Sequence, residues 1–229
     1  MMAAGKGTRM GTITRAMPKP PIPVLGVPII ERTLDLLCGC TDRIIIVIDY
    51  LGDQIRANMG DSYKGIPIIY VQQQNDIPGT AGAVWSAQSS VRSDPFLVIS
   101  GDDIYAQSDI ENLCRFKLAF GVAYKEFSQP KFLMVEKDEM SFLSNLRPIK
   151  GEELHQPLPV PCGCYIISKD VFKYEPVILS NGELGLPQTL LKMSLDIPMS
   201  CVTMNSWLSI NTSDDILEAE IFLRNQYKR

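Results

Sequence analysis

The sequence predicts an α/β fold: a doubly wound, mostly parallel mixed sheet with a small β-rich insertion in its second half. Three observations lead there. The run Ile44-Ile45-Ile46-Val47-Ile48 is apolar without alternation, as a strand buried on both faces must be. Through residues 1–120, short apolar runs alternate with helical patterns at the spacing of βα units. From about 120 to 168 the helical pattern gives way to short apolar runs separated by turns. The 229 residues are enough for one large α/β domain, read here as two halves, 1–120 and 121–229.

Each element has its own signal. Met1-Met2-Ala3-Ala4 is short and apolar, like the end of a buried strand. Pro28 opens a helix with Ile30, Leu34 and Leu37 on one face, and Gly39 ends it. A strand at 44–48 follows, then a short helix from Asp53 to Met59 that stops at Gly60. Ile66 to Val71 is the next strand. Gly79 to Val91 reads as a helix and Pro95 to Ser100 as a strand. Ser108-Asp109-Ile110-Glu111 has capping-box spacing and predicts a helix to about Phe120. Runs at 122–125, 132–136 and 141–146 form the expected β-rich insertion, followed by a Pro-rich loop and a strand at 164–168. Helices at 168–174, 186–194 and 212–226 close the chain. Ligands of such sheets lie beyond the carboxyl ends of the strands, which puts the loops after Ala4, Val71 and Ser100 on one rim.

Composition narrows the function. Hydrophobic residues make up 45% and charged residues 21%, and the net charge of −4 argues against general nucleic-acid binding. No apolar run approaches the roughly 18 residues of a membrane span, and no export signal is visible, so a cytoplasmic location with reduced thiols is expected. Cys38-Gly39-Cys40 and Cys162-Gly163-Cys164 lack the usual zinc spacing and read better as small buried thiols. His155, the single histidine, lies in a polar Pro-rich stretch and reads as a solvated loop residue.

The chemistry concentrates in Gly5-Lys6-Gly7-Thr8-Arg9 and in Pro18-Lys19-Pro20. Glycines let a backbone bend closely around a ligand and turn its N–H groups inward. Thr8 adds a hydroxyl, and Lys6, Arg9 and Lys19 bring cations, so a strand feeding this loop is a polyphosphate cradle in physical terms. A solvated Gly-rich turn with scattered basic residues is the alternative. Neither a Walker A motif nor a dinucleotide G-x-G-x-x-G can be written on residues 1–20.

Read together, Gly5-x-Gly7-Thr8-Arg9-Met10, Pro18-Lys19-Pro20, Pro23-Val24 and Pro28-Ile29-Ile30-Glu31 resemble the signature of the sugar-phosphate nucleotidyltransferases, the nucleotide-sugar pyrophosphorylases. Gly79-Thr80-Ala81-Gly82-Ala83, Gly101-Asp102-Asp103 and a tail of Trp207, Asn211-Thr212 and Asp214-Asp215-Ile216 continue the resemblance in order. It implies a Rossmann-like nucleotidyltransferase fold, with 1–120 the nucleotide-binding half and 121–229 the acceptor half. The implied reaction is attack of a sugar 1-phosphate oxygen on the α-phosphate of a nucleoside triphosphate, dTTP or UTP, with release of pyrophosphate. Such transfer needs positioning and charge neutralisation more than a protein nucleophile.

The resemblance also implies roles. Arg9 and Lys19 are the catalytic cations. Ala3, Ala4, Gly5, Gly7, Thr8, Gln74, Gly79 and Thr80 bind the nucleotide, Gln74 by offering donor and acceptor to the base. Asp102 holds Mg2+, with Ser209 a weak second ligand; Asp103, next along extended backbone, is expected to point away. Arg147, Gly163 and Glu183 are expected at the acceptor. Partners are then a triphosphate and a phosphorylated small molecule, with neither nucleic acid nor membrane, and a homo-oligomer is compatible. Bland alternatives stand beside these: a turn aspartate at 102, solvated glutamines at 72–74, a core role for Trp85. The second half departs from the family. Leucine 146 stands where it has a glutamate, Pro161 where it has an asparagine, and Ser209 where it has Asp or Asn. The first strand is shorter than the family's, as a start codon called too late would leave it. Alternatives in other classes are therefore a non-catalytic nucleotide-sugar sensor or subunit, and transfer to a phosphorylated acceptor that is not a sugar.

Overall fold

The computed structural model describes residues 1–5, 19–74, 76–129 and 132–226; the cradle residues 6–10, with Gly7, Thr8 and Arg9, lie outside them. Strands in chain order are β1 (Pro23–Val24), β2 (Val27–Pro28), β3 (Ile44–Ile48), β4 (Ser62–Tyr63), β5 (Ile66–Gln72), β6 (Phe96–Ile99), β7 (Asp103–Tyr105), β8 (Ala119–Lys125), β9 (Leu133–Lys137), β10 (Leu143–Pro148), β11 (Leu158–Ile167), β12 (Val177–Ile178), β13 (Leu184–Gly185), β14 (Ser200–Thr203) and β15 (Trp207–Ser209). The α-helices are α1 (Ile29–Leu37), α2 (Gly52–Met59), α3 (Gly79–Ser86), α4 (Gln107–Leu113), α5 (Leu186–Ser194) and α6 (Ser213–Gln226).

Residues 1–3 join two sheets into one. β3 pairs in parallel with β5, which carries β4 on its far edge. β11 lies antiparallel between β6 and β8, and β14 runs parallel to β8. Met2 bridges in parallel to Val47 of β3 on one side and to Ser100, beyond β6, on the other. Its N–H donates to Ile99 O at 2.9 Å, the Ala3 N–H donates to Val47 O at 2.9 Å, and Gly101 N–H donates to Met2 O at 2.9 Å. The apolar run at 44–48 is buried on both faces, as its composition requires. Because β6 and β8 are each antiparallel to β11, they run the same way. Residues 1–3, β6 and β8 thus point their carboxyl ends the same way, β8 running past the end of β6: Ile99 pairs with Cys164 of β11 and Lys125 with Leu158.

The second half differs from its sequence expectation. The helix begun near Ser108 ends at Leu113, not near Phe120. The capping box does not form: Ser108 lies inside the helix. The Asp109 carboxylate instead accepts from Ser206 N–H at 2.7 Å and Asn205 Nδ2 at 3.3 Å. Residues 119 and 120, placed at the end of that helix by the sequence, are buried strand in the central sheet. The β-rich insertion reduces to the β9–β10 hairpin, and the expected Pro-rich loop is the start of β11. Pro159 and Pro161 lie where β11 pairs with β8 but not with β6, which joins only from Cys164, and the ladder then slips before Tyr165, around Gly163 at φ +72°. A Cβ on Gly163 would collide with Ser100 Oγ.

One core layer fills the space between the sheet and α5. Phe120 of β8 and Tyr165 of β11 are buried with ring centroids 4.8 Å apart, packed in a cluster with Leu186, Leu190 and Met193. Phe120→Ala is therefore expected to lower unfolding stability by about 3–5 kcal/mol. Ile178→Ala, at a 72% exposed site, should change it by less than about 0.5 kcal/mol. Urea midpoints check both; equal effects would mean that this layer is not the core.

Candidate active site

The Lys19-Pro20 backbone is held against the start of α1. Lys19 O accepts from Ile22 N–H at 3.0 Å and Pro20 O from Ile30 N–H at 2.9 Å, so the start of α1 fixes this backbone. Lys19 is only 5% exposed. An ammonium so buried needs a counter-charge. It finds one 83 residues away: Nζ donates to Asp102 Oδ2 at 2.7 Å. Asp102 follows β6 at its carboxyl end and keeps 31% of its side chain open.

Asp103 points the other way, as extended backbone dictates, and is 9% exposed. It accepts from Trp207 Nε1 at 3.1 Å, and Tyr105 Oη lies 3.5 Å from the same oxygen while donating to Cys162 O at 2.8 Å. Burial first, and the Asp102 charge second, push the Asp103 carboxyl up to about 7, against Lys19 and the indole N–H, which act downward. β7 pairs antiparallel with β15, and Ser209 is the Cα partner of Asp103. One carboxylate thus faces the rim and the next fastens β15 behind it.

The Gln72–Gln74 stretch proves to be divided in use. Gln73, which the sequence places in the base-reading stretch with solvated glutamines as the alternative, donates from Nε2 to Ile77 O and Gly79 O, both at 3.0 Å, and so shapes the loop. Gln74 is exposed, its backbone N–H donating to Ser86 Oγ at 3.1 Å. Gly79 (φ +94°) is obligatory: a Cβ there would come within 2.6 Å of Leu184 O. A Cβ on Gly82 would fall on the Ile77 carbonyl oxygen. Thr80 Oγ1 accepts from Leu186 N–H at 3.0 Å, supplying the start of α5 with an acceptor its own flank lacks. Exposed Glu183 sits beside Gly79, joined through Leu184 N–H to Pro78 O at 2.8 Å.

Arg147 is not free to meet a ligand as expected. Its Nε donates to Glu136 Oε1 at 2.6 Å and its Nη1 to Glu153 Oε2 at 2.8 Å, with Nη2 also on Glu153. Leu146, from the same strand, packs against the core beneath the hairpin. Lys19, Asp102, Asp103, Ser209 and Gly163 are brought together, Gln74, Gly79, Thr80 and Glu183 form a second group, and Arg147 belongs to neither. Trp85 packs edge-on against Phe172 at 5.5 Å, the core role its position suggested. Among the described residues no three His, Cys, Asp or Glu side chains converge as a metal cage, and no helix is long and apolar enough to cross a membrane. A cavity of about 610 Å³ opens on the opposite side of the sheet, between β3 and β6 below Met1, away from these side chains.

A family model described as nucleotidyl transferase matches residues 1–124. The chain belongs to the nucleotidyl transferase family. It is 31% identical over 227 residues to the bifunctional protein GlmU of Methanocaldococcus jannaschii, covering 97% of this chain and 53% of that protein. It is 28% identical to a bifunctional sugar-1-phosphate nucleotidylyltransferase/acetyltransferase of Sulfurisphaera tokodaii, covering 95% of this chain and 53% of that one. The chain thus spans about half the length of these curated relatives. Among solved structures, a UDP-glucose pyrophosphorylase complexed with UDP-glucose superposes with TM-score 0.83 at 19% identity, covering 100% of this chain and 97% of that one, which shows the fold.

The Arg147 cluster has a pH signature. Hydrogen bonds from Arg147 hold the Glu153 carboxyl near 2 and the Glu136 carboxyl below its ordinary 4.5. Folded values below unfolded ones stabilise above pH about 4.5, and that contribution is lost as pH falls toward 2. The difference in urea midpoint between wild type and Arg147→Met should be constant above pH 5 and shrink below 4.5. A difference that does not vary with pH would contradict the pairing.

Proposed function

We propose that this chain transfers a nucleoside monophosphate from a nucleoside triphosphate, dTTP or UTP, to a sugar 1-phosphate, releasing pyrophosphate. The observation that carries the reading is the buried Lys19 ammonium paired with rim-facing Asp102 where residues 3–5 leave the sheet. In this reading Ala3, Ala4, Gly5, Gly7 and Thr8 cradle the triphosphate, and Arg9 holds the leaving pyrophosphate. Gln74 reads the base from a loop held by Gln73 and Gly79, and Thr80 acts through its bond to Leu186.

The donor set suits Mg2+: one rim-facing carboxylate, Asp102, and a hydroxyl, Ser209, in a neighbouring strand. Magnesium fits a site of one or two protein ligands, because it keeps water and takes phosphate oxygens for the rest. When bound, it supplies neutralisation of phosphate charge. The chain's own part is to align the acceptor oxygen with the α-phosphate. The Lys19 ammonium is positioned to stabilise charge building on the reacting oxygens, with the fixed dipoles of the loop. We place the enzyme in the cytoplasm, with residues 1–120 carrying the nucleotide and 121–229 the acceptor. A second reading keeps the transfer but not the sugar: Leu146 is packed into the core, so no carboxylate stands at that position to recognise hydroxyls.

Pyrophosphate release over a panel of triphosphates and phosphorylated acceptors tests both readings. Magnesium-dependent release with a sugar 1-phosphate is expected; release only with non-sugar acceptors favours the second reading, and none with any pair contradicts both. Lys19→Ala and Arg9→Ala should each lower turnover at least tenfold, about 1.4 kcal/mol in the barrier. Asp102→Asn should raise the magnesium requirement sharply and Ser209→Ala little; equal effects would remove Asp102 as the main ligand.

A further inference from the structure

Transfer to a phosphate acceptor brings a second multiply charged group beside the triphosphate, and it needs a cation of its own. The two cations that sequence assigns to the reacting phosphate and the acceptor, Lys19 and Arg147, are both engaged: Lys19 by Asp102, Arg147 by Glu136 and Glu153. Lys125 is the last residue of β8, which runs the same way as β6 and past its end, Lys125 pairing with Leu158 of β11 and Ile99 with Cys164. It is half-buried, with its Nζ 5.3 Å from the centroid of the Trp207 ring. Among the described residues, no carboxylate lies within ion-pair distance of it.

Trp207 is a rigid platform. Its indole N–H is fixed to Asp103 at 3.1 Å, and Phe132 meets it edge-on at 6.0 Å. Lys19 is thus linked to Lys125 through its bond to Asp102, the chain from Asp102 to Asp103, and Trp207 held on Asp103. A ring face holds an ammonium in place without neutralising it, leaving its charge for an incoming anion. A carboxylate partner, such as Arg147 has, would not.

We propose that Lys125, held on the face of Trp207, binds the phosphate of the acceptor. This rests on the transferase reading above and deepens it by naming the group that captures the second substrate. It also assigns to this site an acceptor recognised mainly through its phosphate, since the hydroxyl-reading carboxylate at 146 is absent.

The test compares wild type, Lys125→Ala and Lys125→Arg by steady-state kinetics with acceptor and triphosphate varied separately. Calorimetric titration with glucose 1-phosphate, inositol 1-phosphate and inorganic phosphate accompanies it. Lys125→Ala should raise the acceptor KM at least tenfold and leave the triphosphate KM within twofold, while Lys125→Arg should stay within about threefold on both. An acceptor KM within twofold of wild type in an active Lys125→Ala enzyme overturns the assignment and leaves the transferase reading intact. If wild type releases no pyrophosphate but binds these phosphates, and Lys125→Ala loses that binding tenfold, the anion site stands while the transferase reading fails. Absence of phosphate binding by inactive wild type overturns both.

Discussion

The backbone ladder through Met2 is the constraint on which the rest of the structure depends. Among the described residues, Met2 is what bridges β3 to the β6 side of the sheet. The same few hydrogen bonds that close the sheet also aim the chain. Gly101 N–H donates to Met2 O, so the segment that carries Asp102 and the segment that leads to Gly5 leave the rim side by side. The chain leading to Gly5 and the Asp102 segment are thereby neighbours through backbone hydrogen bonds alone, which is what the proposed pairing of a triphosphate loop with a metal-binding carboxylate requires.

On that frame sits a buried charge. Lys19 at 5% exposure would be costly alone, and Asp102 supplies the compensation at 2.7 Å. In the proposed reaction, with one partner enclosed and the other open to the rim, incoming phosphate and metal would replace each partner's counter-charge. Asp103 has the opposite design. Its carboxylate is enclosed and given to Trp207 and Tyr105, so it organises β15 and the Gly163 bulge and leaves the open face to Asp102.

Much of this was legible in sequence, for identifiable reasons. The 44–48 run, the Pro28 helix start and the glycine stops each rest on a local rule, and each element appears where the rule put it. Topology put the loop carrying Asp102 on the rim, while Lys19 was assigned to the reacting phosphates by the family resemblance and Gly163 was expected with the acceptor residues. What escaped was decided by distant partners. Residues 119 and 120 read as the end of a helix, but β11 and β14 claim them. Ser108 and Glu111 have capping-box spacing, yet Ser108 lies inside the helix, and Asp109 between them ties down Ser206. Gln73 and Gln74 are adjacent and alike in sequence; only the fold of residues 77–79 separates a loop-shaping side chain from an exposed one. Arg147 could not be known to be engaged, because Glu136 and Glu153 lie 11 and 6 residues from it and meet it only when β9 and β10 pair.

The most direct test of the central claim is a crystal structure with magnesium and a non-hydrolysable triphosphate. The predicted result places the triphosphate over residues 3–9, the metal on Asp102, and the Lys19 ammonium moved from Asp102 onto a phosphate oxygen. A triphosphate bound elsewhere, with the Lys19–Asp102 pair unchanged at 2.7 Å, would contradict it.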